Sequence, residues 1–252
     1  MNTQPKLTLV GAGPGDPELI TLKGVKALRN AQVILYDALV NTTLLDYAPN
    51  ALKIYVGKRA NKHTFTQDVI HQMIVQYAYK YGHVVRLKGG DSFVFGRGSE
   101  EINYAKLFCI KTEVIPGISS AFSVPASIGI PATERGVSEG VWVITGTTTK
   151  RDISKDIHLA AQSNSTIVIL MGIKNLSNIV KAFKNEGKIN LPIAIIQNGT
   201  LPQQREVIGT ISNIEQQANE ANIGAPAIII IGEVVNSNVA LRTVIEQQIS
   251  FN

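Results

Sequence analysis

Short runs of β-branched and other apolar residues alternate with helical patterns along this chain of 252 residues. Several runs are apolar at every position, which is typical of strands whose two faces are both covered. The predicted strands are Leu7–Val10, Val33–Tyr36, Lys53–Val56, Val84–Leu87, Glu113–Ile115, Val141–Thr145, Thr166–Leu170, Ile193–Ile196 and Ala227–Ile231. Since alternating strands and helices form layers, we predict an α/β fold.

The predicted strands are numerous enough for either one large sheet or two smaller ones. A stretch rich in small residues, Pro116 to Pro131, lies midway along the chain and is typical of a hinge. We therefore predict an N-terminal α/β domain over residues 1–116 and a C-terminal α/β domain over residues 117–252, each of ordinary domain size. One amphipathic helix is predicted after a Thr66 N-cap, and another from Leu176 to Phe183.

Composition excludes several classes of protein. Hydrophobic residues make up 44% and charged residues 17% of the chain, so a sizeable core is expected. The net charge of +5 suits an anionic substrate, but there is no long run of like charges, and no nucleic-acid partner is expected. No apolar run is long enough to span a bilayer, and no apolar leader is present. The single cysteine, Cys109, is expected to be a packed side chain and suits a reducing cytoplasm.

A glycine-rich turn, "VGAGPGDPE", follows the first predicted strand. Such turns often hold a phosphate at the start of a helix. Here Asp16 stands where a dinucleotide fingerprint needs glycine, and no Gly-Lys-Ser/Thr follows. A carboxylate beside a phosphate would repel it. From its residues alone, the turn is therefore either a tight structural turn or a loop for another kind of ligand.

Small residues also follow other predicted strands, in the segments "KGGDSFVFGRG", "PGISSA", "GT", "MG" and "QNGT". Ligands of open α/β sheets bind at the carboxyl ends of strands, where small residues allow close approach to the backbone. Asp37, Lys58 and Asp91 also follow strands, either as surface charges or as site groups. The four histidines lack metal-ligand spacing and there is no G-x-S-x-G motif, so neither a metal nor an acyl-transfer serine is predicted.

Several longer motifs together resemble a known family. The segments "VGAGPGDPELITLKG", "ILYDALV", "VGKR", "VVRLKGGDSFVFGRGSEE", "VIPGISSA", "IGIPAT" and "LMGIKNL" stand in the order and spacing of the tetrapyrrole methylases, and among them of the uroporphyrinogen-III C-methyltransferases. The resemblance extends from residue 7 to about residue 236. It implies two α/β domains with the active-site cleft between them, and a homodimer. It also implies S-adenosyl-L-methionine as methyl donor, S-adenosyl-L-homocysteine as product, and no metal.

The resemblance also implies roles for particular residues. Asp37 would be the proton acceptor and Lys58 the proton donor, although Lys58 could equally pair with a substrate carboxylate. The donor site would be lined by Pro14, Gly89, Gly90, Asp91, Val94, Ser119, Ser120, Met171 and Gly199. A tetrapyrrole substrate carries carboxylates, and the guanidinium fork suits them. Arg59, Arg97 and Arg135 are therefore candidate substrate clamps, or else surface charges or ion-pair partners.

Four positions depart from the usual family pattern. Ser92 replaces a proline, Glu134 and Thr147 each replace a frequent histidine, and Gln197 replaces a frequent glutamate. Ser92 is expected to keep its turn but to make it less rigid. These departures bear on substrate preference more than on the type of reaction.

The implied reaction is methylation of uroporphyrinogen III at C-2 and C-7, which gives precorrin-2 for siroheme or cobalamin synthesis. The chain is too short to include a dehydrogenase and ferrochelatase module, so a separate downstream protein is expected. The alternatives are a methyltransferase for a later precorrin, a non-catalytic sensor that binds the donor or a tetrapyrrole, and an RNA methyltransferase of the same wider fold. Strongly salt-dependent RNA affinity would mark the last of these.

Overall fold

The computed structural model describes residues 4–57, 65–148 and 152–237. The chain divides into two compact units, Met1–Ser119 and Ser120–Asn252. The described part of each unit contains one five-stranded sheet covered by helices, which confirms the predicted α/β fold. The division of functions between residues 1–116 and 117–252 stays a prediction. No helix in the described ranges is long and apolar enough to cross a membrane.

The first unit is built on a fully parallel sheet. Its strands are β1 (Lys6–Gly11), β2 (Val33–Tyr36), β3 (Leu52–Tyr55), β4 (His83–Lys88) and β5 (Lys111–Ile115), in the order β3-β2-β4-β1-β5. Its helices are α1 (Leu22–Arg29), α2 (Gln67–Tyr81) and α3 (Gly98–Leu107). Apolar side chains fill both faces of the sheet. Because the strands are parallel, all five carboxyl ends lie at one edge.

Helix α2 forms where the sequence predicts it. The Thr66 hydroxyl accepts a hydrogen bond from the Val69 amide at 3.3 Å, as an N-cap does. Ile70, Ile74 and other apolar residues at helical spacing are buried against the sheet. Gly82 ends the helix at a φ of 101°, a conformation that favours glycine.

The second unit has a mixed sheet. Its elements are α4 (Ser120–Ser127), β6 (Val141–Thr145), α5 (Asp156–Gln162), β7 (Thr166–Leu170), α6 (Leu176–Asn185), β8 (Pro192–Gln197), β9 (Arg205–Thr210), α7 (Ile214–Glu220) and β10 (Ala227–Ile231). The strand order is β6-β7-β10-β8-β9. Strand β6 is parallel to β7, and β10 is antiparallel to both of its neighbours. The carboxyl ends of β6, β7 and β8 therefore share one edge.

Two features differ from the sequence-based expectation. Strand β9 was not predicted, because it begins with the charged pair Arg205 and Glu206 and has only two consecutive apolar residues before Gly209. Cys109 was expected to be packed within a helix, and that is wrong. It lies after α3, is exposed, and has a φ of 53°, so the chain reverses there before buried Ile110 leads into β5.

Candidate active site

Three glycine loops meet backbone to backbone at the carboxyl edge of the first sheet. Gly13 and Gly90 exchange hydrogen bonds, with N···O distances of 3.2 Å and 2.6 Å. A Cβ on Gly117 would lie 2.2 Å from the Gly90 carbonyl oxygen, and one on Gly11 would lie 2.5 Å from Gly117 Cα. Only glycine fits so close an approach. The loops after β1, β4 and β5 therefore form one continuous surface of backbone.

Asp91 ties two of these loops together. Its Oδ1 accepts a hydrogen bond from the Phe93 amide at 2.8 Å, and its Oδ2 accepts one from the Gly117 amide at 2.9 Å. The first bond closes the turn after β4, and the second joins that turn to the loop after β5. Both carboxylate oxygens thus contact backbone amides of the protein.

A group of four charged side chains, three of them buried, lies beside these loops. This ionic cluster consists of Asp37, directly after β2, Arg86 and Lys88 on β4, and Glu101 on α3. Arg86 donates from a terminal nitrogen to Asp37 Oδ1 at 2.6 Å, and Lys88 Nζ lies 3.7 Å from Asp37 Oδ2. The Asp37 side chain is 27% exposed, whereas Arg86 is 2% exposed. Asp37 is therefore the member of the cluster that solvent or a ligand can reach.

Glu101, on α3, accepts hydrogen bonds from both basic side chains of the cluster. Its side chain is 0% exposed. One of its oxygens, Oε1, accepts from Arg86 Nε at 3.1 Å, from Lys88 Nζ at 3.3 Å and from the Gln67 amide nitrogen at 3.1 Å. The other oxygen, Oε2, has no hydrogen-bond partner among the residues that the structure describes. Glu101 is thus a fixed buried anion shared by both cations.

Burial and the neighbouring charges act on both basic groups. Burial lowers the pKa of Lys88, and repulsion by Arg86 lowers it further, while Glu101 and Asp37 act in the opposite direction. Burial also acts to lower the pKa of Arg86, but attraction by Glu101 and Asp37 outweighs it and the pKa is raised. Arg86 therefore stays a cation, and Lys88 gives up its proton more readily than an exposed lysine.

The second unit also collects small residues at the carboxyl edge of its sheet. Met171, which follows β7, has a φ of 57°, and its carbonyl accepts from the Thr147 hydroxyl at 2.8 Å. Asn175 donates to the Gly146 carbonyl at 2.8 Å and to the Thr147 hydroxyl at 3.2 Å. A Cβ on Gly199 would lie 2.3 Å from Val124 Cγ1 on α4. Side-chain hydrogen bonds thus fix the ends of β6 and β7.

Comparison with known proteins identifies the family. The family model for tetrapyrrole (corrin/porphyrin) methylases matches residues 6–215. This chain belongs to the tetrapyrrole methylase family. The expected family is therefore confirmed over most of the chain.

Its relatives include uroporphyrinogen-III C-methyltransferases. The one from Methanocaldococcus jannaschii is 49% identical over 234 residues, which cover 92% of this chain and 97% of the relative. The Thermus thermophilus uroporphyrin-III C-methyltransferase, solved with S-adenosyl homocysteine, is 36% identical with a TM-score of 0.79, covering 92% and 99% of the two chains. A cobalt precorrin-4 methyltransferase is 26% identical with a TM-score of 0.82, covering 91% and 95%.

The structure of this tetrapyrrole methylase brings many of the predicted site residues to the two strand edges. In the first unit, the loops at the carboxyl edge contain Asp37, Pro14, Gly89, Gly90, Asp91, Val94 and Ser119. In the second unit, Met171 and Gly199 follow β7 and β8, and Ser120 begins α4. Lys58 and Arg59 lie outside the described residues. The binding and catalytic roles of all these residues stay predictions.

The two remaining candidate clamps differ in their surroundings. Arg97, at the start of α3, forms a two-pronged ion pair with Glu100 at 2.8 Å and 2.6 Å, and its side chain is 52% exposed. Arg135 is exposed in a turn of the second unit. Arg97 is thus an ion-pair partner, which is one of the alternatives to a substrate clamp that the sequence left open. Its side chain is still accessible to an anion.

Sequence reasoning missed Arg86, Lys88 and Glu101. A signal was present in both elements. Arg86 and Lys88 alternate with apolar residues in "VVRLK", so both point to the same buried face of β4. Glu101 falls on the buried stripe of α3. Charges at core positions of two elements indicate a buried ion group, because an unpaired one would be too costly.

The four departures from the family pattern are all within the described residues. Ser92 is fully buried and its hydroxyl has no hydrogen-bond partner in the part of the chain that the structure describes. The Gln197 side-chain oxygen is likewise buried without a described partner. Glu134 accepts a hydrogen bond from the Ser237 hydroxyl, and Thr147 holds the Met171 carbonyl. Thr147 therefore donates a side-chain hydrogen bond to Met171, a predicted donor-site residue.

Proposed function

We propose that this chain transfers methyl groups from S-adenosyl-L-methionine to C-2 and C-7 of uroporphyrinogen III. The products are precorrin-2, a precursor for siroheme and cobalamin, and S-adenosyl-L-homocysteine. The observation that carries the proposal is the accessible Asp37 carboxylate, held by Arg86 at 2.6 Å beside the glycine loops. The high identity to uroporphyrinogen-III C-methyltransferases over nearly the whole chain supports this substrate.

The loops of the first unit fit the methyl donor. Residues 11–19 and 89–96 contain no lysine or arginine, so these loops offer backbone groups and carboxylates rather than cations. Such a surface suits a ligand with an ammonium, a sulfonium and a ribose diol, and does not suit a phosphate. The residues that would hold it are Pro14, Gly89, Gly90, Asp91, Val94 and Ser119, with Ser120, Met171 and Gly199 from the second unit. When bound, the donor supplies an electrophilic methyl group.

The protein's own contribution is positioning and proton removal. An electron-rich pyrrole carbon uses a ring electron pair to form the new carbon–carbon bond, and the methyl–sulfur pair stays on sulfur. The macrocycle is then cationic, and loss of a proton from it returns an electron pair to the ring. Asp37 accepts that proton. Arg86 fixes Asp37 Oδ1, and water exclusion around the reacting carbon favours transfer over side reactions.

Basic side chains hold the carboxylates of the substrate. Arg97 and Arg135 are exposed and can each offer a guanidinium fork, and Lys58 and Arg59 follow β3 in sequence. For Arg97, binding a substrate carboxylate means exchanging its partner Glu100. The exchange costs little, because both partners are solvated.

One experiment separates this function from its alternatives. Purified protein is mixed anaerobically with S-adenosyl-L-methionine and enzymatically generated uroporphyrinogen III, and the product mass and absorbance are followed. Two added methyl groups are expected. A product with one methyl group would contradict the second transfer. No transfer, with donor binding intact, would favour a later precorrin substrate or a sensor. A TM-score of 0.82 to the cobalt precorrin-4 enzyme makes the later precorrin the more serious rival.

The proposal extends to assembly and context. The enzyme is a cytoplasmic homodimer, and a separate protein oxidises precorrin-2 and inserts the metal. The family resemblance supports the dimer, and light scattering on the purified protein tests it. A monomer at assay concentration that is fully active would contradict the dimer.

A further inference from the structure

The stability of the fold does not account for the ionic cluster of Asp37, Arg86, Lys88 and Glu101. The side chains of Glu101, Arg86 and Lys88 are 0%, 2% and 7% exposed, so one anion and two cations leave water together. Removing ions from water is costly, and replacing a buried ionic group by apolar residues is often neutral or stabilising. The proposed proton transfer uses Asp37 and Arg86, which holds it. Glu101 and Lys88 therefore need a separate explanation.

We propose that Glu101 and Lys88 are positioning residues that set, by their opposite charges, how readily Asp37 accepts the proton. This inference rests on the proposed function, because it assigns roles around the same proton acceptor. Neither residue is placed against the substrate or the donor. Each acts through Asp37 and through Arg86, which lies between the two carboxylates.

Arg86 fixes the geometry by using all three of its nitrogens. Nε donates to Glu101 at 3.1 Å, and one terminal nitrogen donates to the Leu35 and Leu87 carbonyls, both at 3.3 Å. The other terminal nitrogen donates to Asp37 at 2.6 Å. A planar guanidinium held at four acceptors cannot rotate. It therefore couples the orientation of the Asp37 carboxylate to Glu101 on α3.

Lys88 bridges the two carboxylates. Its Nζ lies 3.3 Å from Glu101 Oε1 and 3.7 Å from Asp37 Oδ2. With all four groups ionised, the cluster has two cations and two anions. When Asp37 takes a proton, Glu101 is the one anion of the cluster that remains for both cations. It is thus the counter-ion that limits the electrostatic cost of protonating Asp37.

The sign of each contribution follows from Coulomb's law. Removing the charge of Glu101 leaves two cations facing Asp37, so the carboxylate accepts a proton less readily. Removing Lys88 leaves one cation and has the opposite effect. Other titratable groups also act on the cluster. His71 on α2 contacts Gln67 at 3.2 Å, and the ion pair of Arg97 and Glu100 at the start of α3 interacts electrostatically with Glu101 and Lys88. Lys58 lies outside the described residues.

The test measures kcat/KM for uroporphyrinogen III as a function of pH in wild type, Glu101→Gln, Lys88→Met and the double variant. Glu101→Gln should move the acid limb of the profile to lower pH and lower kcat, because Asp37 becomes a weaker base. Lys88→Met should move the limb to higher pH. The double variant has balanced charges and should return the acid limb towards its wild-type position.

The KM for S-adenosyl-L-methionine is a second readout. It should stay within about twofold of wild type in every variant, because the cluster does not form the donor loops.

A matched control is available on β5. Glu113 is also a carboxylate between two lysines, at 2.8 Å from Lys6 and 2.7 Å from Lys23, but it lies three strands away from β2 in the sheet. Glu113→Gln removes the same charge and should leave the acid limb unchanged. Thermal unfolding and donor binding of each variant verify that it is folded.

The outcomes separate two failures. If wild type methylates uroporphyrinogen III but the two single variants shift the limb in the same direction, or not at all, the inference is overturned and the proposed function stands. If wild type does not methylate this substrate, the proposed function fails and the inference fails with it. If the charge-balanced double variant does not fold, the cluster is a structural requirement and the inference is also overturned.

Discussion

At the scale of single residues, Asp37 combines access with a fixed orientation. Its carboxylate is 27% exposed and is held by Arg86 at 2.6 Å, so one oxygen is anchored while the side chain can still reach a ligand. Replacing it with asparagine keeps the size of the side chain but removes the base. Asp37→Asn should bind S-adenosyl-L-methionine as wild type does and lose turnover by about 100-fold or more.

Isothermal titration and a methyl-transfer assay check this expectation. Asp46→Asn, an exposed aspartate in the segment after β2, is the matched control and should keep full activity. If Asp37→Asn retains turnover within about twofold of wild type, Asp37 is not the proton acceptor.

Ser92 offers a prediction about stability. Its hydroxyl is buried without a hydrogen-bond partner among the described residues. The proline that the family resemblance implies at this position would remove that hydroxyl and reduce the freedom of the unfolded chain. Ser92→Pro should therefore stabilise the first unit by about 1 kcal/mol and raise the midpoint of thermal unfolding by a few degrees. Ser92→Ala separates the two causes, because it removes only the hydroxyl. A lower midpoint for the proline variant would show that the backbone of this turn rejects the ring.

At the scale of elements, periodicity decided what the sequence could predict. The buried strands and the capped helix α2 were predictable, because their apolar spacing reflects burial and Thr66 marks the helix start. Strand β9 was not, because its apolar run is only two residues long and its pairing depends on β8. The ionic cluster depends on contacts between β2, β4 and α3, which are distant in sequence. No local sequence pattern indicates that Arg86 pairs with Asp37. The charges at core positions of β4 and α3 indicate only that a buried ion group exists.

Glu113 links three elements and makes the stability of the first unit depend on pH. Hydrogen bonds from Lys23 and then from Lys6 lower the pKa of Glu113 to about 2. Since the folded state binds this proton less readily than the unfolded state, the stabilisation is complete above about pH 4.5 and is lost as the pH falls towards 2. Solvent screening reduces its size to roughly 1 kcal/mol.

Urea unfolding of wild type and Glu113→Gln at pH 7 and about pH 3 tests this dependence. The variant should be less stable by roughly 1 kcal/mol at pH 7, and the difference should shrink at the lower pH. An equal difference at both values would mean that Glu113 acts through packing rather than through its charge. Glu215→Gln is the control variant in the same urea experiment, because Glu215 forms an ion pair with Lys184 at 3.7 Å in the second unit.

At the scale of the whole molecule, the chain is a basic protein proposed to act on a substrate with eight carboxylates. Its net charge of +5 attracts such an anion over distances of about a Debye length, whereas the donor carries little net charge. Raising the ionic strength from about 0.05 M to about 0.5 M should therefore raise the KM for uroporphyrinogen III several-fold and leave the KM for S-adenosyl-L-methionine nearly constant. Arg135→Gln should weaken the salt dependence, because it removes one exposed candidate clamp. If both KM values rise together, salt acts on the enzyme itself and the clamps do not recognise the substrate by charge.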